Sequence, residues 1–81
     1  MVAASALFDD AVAELSMEAM AFLWRVHSGD APEIGPAARA LLRRLRGTTR
    51  GAGLHELRAW QDNITTWRAV ARHAGADVPW M

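Results

Sequence analysis

The chain has 81 residues, of which 52% are hydrophobic, so it is long enough for one domain and too apolar to remain disordered. It contains no cysteine, which excludes disulfide bonds and every metal site that needs cysteine ligands. The net charge of zero conceals an acidic part, with six acidic residues and one arginine in 1–35, and a basic part, with eight arginines and three acidic residues in 36–81.

The first predicted helix covers about residues 6–27. Ser5 is a suitable N-cap, and Asp9 and Asp10 follow near the first turn, where the helix dipole favours negative charge. Gly29 is expected to end the helix, because glycine tolerates the left-handed conformation. Apolar residues alternate at spacings of four and three, which indicates a heptad seam: Phe8, Val12, Leu15, Ala19, Phe22 and Val26.

Further apolar side chains broaden this seam in the second half of the helix. Met20, Leu23 and Trp24 lie toward one side of it, and Met17 is close by. Methionine adapts to irregular surfaces, so Met17 and Met20 beside Phe22 and Trp24 could line an adaptable groove, although methionines at helical spacing usually belong to a core.

A loop and a short helix come next. Pro32 and Pro36 oppose a helix through 29–36, whereas Pro36 suits the first turn of a helix over about 36–46 that ends at Gly47. Its apolar side consists of Leu41, Leu42 and Leu45.

A third helix is predicted over about 54–74. Polar residues of modest helix propensity crowd between Asp62 and Thr66, so a kink or a break there remains an alternative to one continuous helix. Gly75 ends the helix before a short tail, 76–81. Its seam comprises Leu57, Trp60, Ile64, Trp67, Ala71 and Ala74.

These lengths predict an all-α fold, a single domain over 1–81 built as an antiparallel three-helix bundle in the order long, short, long. The outer helices would be about 32 Å long and the middle one about 16 Å. Because so short a helix does not cover two long seams, part of the apolar seam should stay exposed in a monomer, and we expect a homodimer or a protein partner to complete the bundle. We expect the exposed residues to be among Leu7, Phe8, Val12, Leu15, Trp60 and Trp67.

The arginines of the second helix allow two interpretations. Arg39, Arg43, Arg46 and Arg50 are spaced by four, three and four, with Arg44 beside them, which is typical of a basic stripe that contacts nucleic acid phosphates. The favoured interpretation is a solvated face or ion pairs with the acidic stripe of the first helix, which consists of Asp10, Glu14 and Glu18.

The sequence predicts a cytoplasmic protein without catalytic, cofactor or metal sites. Charged residues interrupt every run that approaches the ~18 apolar residues of a membrane span, and the first ten residues lack the basic flank of a secretory signal. The three histidines and three serines fit no metal-ligand or nucleophile spacing. All nine basic residues are arginine, which suggests a GC-rich bacterial genome.

The predicted function is that of a small non-enzymatic interaction module, a regulatory, adaptor or accessory subunit that binds protein through an apolar helical face. The residues predicted to make the apolar contact are Phe8, Leu15, Trp60, Trp67 and Trp80, and those predicted to add charge complementarity are Arg39, Arg43 and Arg46. The alternative function is a nucleic-acid-associated regulator that uses the arginines.

Overall fold

The computed structural model describes residues 4–30, 33–50 and 53–76. These residues form α1 (Ala4–Ser28), α2 (Ile34–Thr48), a 3-10 helix (Leu54–Glu56), α3 (Arg58–Asp62) and α4 (Ile64–Ala74). The long α1 packs against α2, α3 and α4, and α2 also packs against α4. The predicted all-helical class is confirmed.

The heptad seam of α1 faces inward. Val12, Leu15, Ala19 and Phe22 are buried, and Phe8 is half-buried. Because successive seam residues lie on one side of the helix, α1 can cover the other helices along much of its length of about 37 Å. The other helices contribute Ala38, Leu41, Leu42, Leu45, Leu57, Ala59, Trp60, Trp67, Val70, Ala71 and Ala74 to the same core.

Two glycines end α1 and α4 in the same way. Gly29 has φ 81° and Gly75 has φ 68°, the left-handed region that suits a residue without a Cβ. After α1, the Asp30 N–H donates to the carbonyl of Arg25, as in a Schellman motif. Both glycines stand where the sequence predicts a helix to end.

The second helix is longer than the sequence predicts. It starts at Ile34, so Pro36 is its third residue, a position whose N–H has no partner inside the helix. It continues through Gly47 to Thr48, and the backbone N–H and the hydroxyl of Thr49 each donate to the carbonyl of Leu45 at 2.9 Å. These bonds close the last turn, so Gly47 does not act as a stop.

The third predicted helix is divided. The 3-10 helix is followed by the extended Leu57, and α3 ends at Asn63, where α4 begins. The Asn63 side chain donates to the carbonyl of Ala59 at 2.8 Å, and its backbone N–H is shared between Ala59 and Trp60. This local bonding competes with regular helical pairing and accounts for the interruption.

An aspartate of α1 fixes the start of α3. The Ala59 N–H donates to the carboxylate of Asp9 at 2.7 Å. Asp9 therefore acts as an N-terminal cap supplied by another helix, since the first N–H groups of a helix have no partners within it. The expected role of Asp9 and Asp10 in the first turn of α1 is wrong, because that turn as described holds no acidic residue.

Candidate functional site

The tryptophan seam lies inside the folded chain. Trp67 has no exposed surface, and Trp60 and Leu15 are almost completely buried. The indole N–H of Trp67 donates to the hydroxyl of Ser16 at 2.8 Å, so its polar atom is paired within the core. These side chains hold α1 against α3 and α4.

Few of the residues expected to remain exposed do so. Leu7 is 64% exposed, whereas Val12 is buried with Leu15 and the two tryptophans, and Phe8 is half-buried. Three of the five residues predicted for apolar partner contact, Leu15, Trp60 and Trp67, are therefore not available on the surface of the single chain. Trp80, which was also predicted for this contact, lies outside the described residues.

A different apolar surface is exposed on α1. Met17 is 66% exposed, Met20 40% and Trp24 70%, and the small Ala21 between them is also exposed. We call these four residues the outer face of α1. With about 100° of rotation per residue, they lie on the side of the helix that is turned away from the heptad seam.

The outer face continues into a shallow depression near the end of α1. Met20, Leu23, Trp24 and His27 line a volume of about 410 Å³. The ring of Trp24 stands edge-on to that of His27, with 6.3 Å between the ring centroids. The depression is mainly apolar with one imidazole at its border, a composition that suits an apolar side chain of a protein partner.

The three arginines predicted for charge complementarity are brought together. Arg39, Arg43 and Arg46 are exposed on α2 and line a hollow of about 380 Å³ with Leu42 and Ala76. The spacings of four and three place the three side chains on one side of the helix. The hollow combines positive charge with an apolar floor.

A fourth arginine pairs with α1. The two guanidinium nitrogens of Arg44 donate to the two carboxylate oxygens of Glu18 at 2.9 and 2.7 Å. These hydrogen bonds lower the pKa of Glu18 and raise the pKa of Arg44. Both side chains are more than half exposed, so solvent weakens the attraction between them. The bidentate geometry therefore contributes more to the orientation of α2 on α1 than to the stability of the fold.

Met17 and Trp24 were absent from the contact residues predicted from the sequence. Counting around the helix from the seam residues places both on the far side, so the signal was present in the spacing. The sequence allows an adaptable groove with Met17, Met20 and Trp24, but methionines at helical spacing usually pack in a core, and Trp24 also fits a broadened seam.

Chemistry-bearing side chains are dispersed in the described part of the chain. Within it, no group of three or more histidine, aspartate or glutamate side chains is placed to hold a metal ion. None of its helices is both long and apolar enough to cross a lipid bilayer. No protein-family model, curated protein or solved structure matches this chain.

Proposed function

We propose that this protein is a small non-enzymatic helical interaction module, a regulatory, adaptor or accessory subunit of the cytoplasm, and that it binds protein through the outer face of α1. We assign it no catalytic residue, cofactor or metal. In this proposal α1, α2 and the interrupted segment 54–74 make up a long, short, long bundle, and the association adds a partner on the opposite side of α1.

The observation that supports this function best is the exposure of Trp24 on the same side of α1 as two exposed methionines, Met20 and Met17. Transfer of apolar surface from water stabilises a complex by about 25 cal/mol per Å². A tryptophan is a frequent centre of binding energy, and Met17 and Met20 can adapt their flexible side chains around a partner. Contiguous apolar residues on a helix surface that is not used by the core are typical of such interfaces.

A photo-crosslinking experiment tests this function. Benzoylphenylalanine replaces Met17 or Met20 in the full chain, and the cells that produce it are irradiated. We expect an adduct of defined mass from both positions and none from Arg72, an exposed control position on α4. No defined adduct at the outer face, or equal adducts at Arg72, would contradict the proposal.

The second candidate, a nucleic-acid-associated regulator, is supported by the arginine hollow. If Arg39, Arg43 and Arg46 each neutralise one phosphate, affinity for DNA should fall about 40-fold between 50 and 200 mM salt. In the double variant Arg39→Ala and Arg43→Ala, the same change of salt should reduce affinity only about fourfold. Fluorescence anisotropy with a labelled oligonucleotide measures both, and the Arg72→Ala variant is the control. Salt-independent binding, or no binding, would exclude this candidate.

A further inference from the structure

We propose that the occupant of the outer face of α1 is a second copy of this chain, whose α1 packs antiparallel to the first. This inference rests on the function proposed above, in which the same face binds protein. The two-fold axis passes between the levels of Met20 and Ala21, so that Met20 of one copy is at the same level along the pair as the partner's Ala21. The contact extends over residues 13–28, about 24 Å of helix.

Charge at the border of the face favours the antiparallel direction. Glu14, Glu18 and Arg25 are exposed and lie within about 40° of one another around the helix, so they form one border of the outer face. When two helices pack antiparallel, equivalent borders meet. In this alignment Glu14 lies within one turn of the partner's Arg25, whereas Glu18 is held by Arg44 of its own chain.

A parallel pair would lose this complementarity. In a parallel pair the two unlike borders of the face meet, so Glu14 and Arg25 would lie opposite the border that holds Leu23 and His27, where there is no carboxylate or guanidinium at these levels to pair with them. The antiparallel pair also sets the N-terminal end of each helix dipole beside the C-terminal end of the other. Both electrostatic effects therefore select the same direction.

The sizes of the side chains fit the same alignment. Met17 lies opposite the partner's Trp24, which allows a contact between sulfur and an aromatic ring. Ala21 lies beside the axis and faces the partner's Ala21, and these small side chains let the two helices approach closely. A parallel pair would instead place Trp24 against the partner's Trp24, which would hold the helices apart at that level.

The contact area that the outer face of α1 offers predicts a dimer that forms reversibly. Specific interfaces bury at least roughly 1,000 Å² in total, and a contact along four turns of one helix lies near that lower limit. Affinities at such sizes extend to the micromolar range. We therefore expect a mass that rises from one to two chains as the protein is concentrated.

Introduced cysteines test the direction, because the chain contains none of its own. Ala21→Cys lies beside the axis and should form a disulfide-linked dimer, whereas two copies of Met17→Cys lie about 10 Å apart along the helices and should not. A mixture of Ala13→Cys and Ser28→Cys should form the mixed dimer. Thiols held together in a complex experience a concentration on the order of millimolar, so oxidation should be roughly 100-fold faster than for Arg72→Cys at about 10 µM protein.

Light scattering of the unsubstituted protein completes the test, and circular dichroism verifies that each variant is folded. Cross-linking of Met17→Cys as efficient as that of Ala21→Cys would overturn the antiparallel direction. A monomer at hundreds of micromolar, with cross-linking no faster than for Arg72→Cys, would overturn the second copy as occupant. If the second copy is overturned in this way, a photo-adduct heavier than two chains of 8.9 kDa would identify a different protein partner and would support the proposed function. The absence of any photo-adduct would contradict both the second copy and the proposed function.

Discussion

The indole of Trp67 and the hydroxyl of Ser16 form a completely buried hydrogen bond that joins α4 to α1. The nitrogen–oxygen distance is 2.8 Å, and neither residue has any exposed surface. The Ser16 hydroxyl in turn donates a hydrogen bond to the carbonyl of Val12 at 2.7 Å, so it both accepts and donates. A polar pair in an otherwise apolar core fixes how α4 is placed along α1, because any shift would leave a buried donor without an acceptor.

Removing the hydroxyl should therefore destabilise the protein. We expect Ser16→Ala to lower the free energy of unfolding by about 1–3 kcal/mol, because the Trp67 N–H loses its acceptor in the core. Urea unfolding followed by circular dichroism measures the change. Ser28→Ala is the matched control, since Ser28 also donates to the carbonyl four residues earlier but is exposed, and its effect should stay within about 0.5 kcal/mol. Equal effects of the two variants would refute the role of the buried pair.

The cap that α1 supplies to α3 gives a second prediction. Asp9→Ala should lower the free energy of unfolding by about 0.5–2 kcal/mol, because the Ala59 N–H loses its carboxylate acceptor. Hydrogen exchange should then become faster at Ala59 in particular. Asp10→Ala removes the neighbouring, exposed carboxylate and serves as the control. Unchanged exchange at Ala59 in Asp9→Ala would contradict the cap.

The helix ends can be tested with two glycines of different conformation. Gly75→Ala should destabilise the protein by about 1–2 kcal/mol, because its φ of 68° is unfavourable for a residue with a Cβ. Gly47→Ala should stabilise it by up to about 1 kcal/mol, because Gly47 lies inside α2 and an added Cβ there meets no atom within 4 Å. Thermal unfolding distinguishes the two signs. A loss of stability in Gly47→Ala would show that α2 ends at Gly47 after all.

The ion pair between Glu18 and Arg44 predicts a dependence on pH. The pKa of Glu18 is lower in the folded chain than the usual 4.5, because the guanidinium of Arg44 donates two hydrogen bonds to it. The pair therefore contributes stability above the unfolded pKa, and this contribution is lost as the pH falls through the lower folded pKa. The difference in stability between the unsubstituted protein and Glu18→Gln should accordingly vanish in acid. Glu14→Gln is the control, and a difference that persists after Glu18 is protonated would contradict the assignment.

The sequence was sufficient for the helical class and for the residues of the inner seam, because heptad spacing and glycine positions are local signals. It did not decide whether Trp60 and Trp67 face the chain's own core or another molecule, since both arrangements bury the same side chains. The interruption at Asn63 has a local signal in the sequence, because polar residues of modest helix propensity crowd between Asp62 and Thr66. The contact that fixes the start of α3 has no local signal, because the carboxylate that caps this helix comes from Asp9, fifty positions earlier in the chain.

The outer face shows a related limit of periodicity. Seam residues such as Phe22 indicate which side of a helix is covered by other helices. Trp24 and Met17 lie outside the heptad repeat of the seam, but from the sequence they resemble a broadening of that seam. Only the packing of the other helices establishes that one side of α1 is already fully occupied and that the opposite side is a separate surface.

The two polar contacts of α1 also affect how the chain acquires its structure during synthesis. Asp9 and Ser16 find their partners fifty and fifty-one residues later. Until a ribosome has released the chain as far as Ala59, Asp9 and Ser16 lack their partners, and of the other α-helices only α2 is complete to cover the seam of α1. Contacts this distant in sequence slow the search for the folded state. The newly made first half consequently exposes apolar surface that the folded protein buries, and such surface favours aggregation.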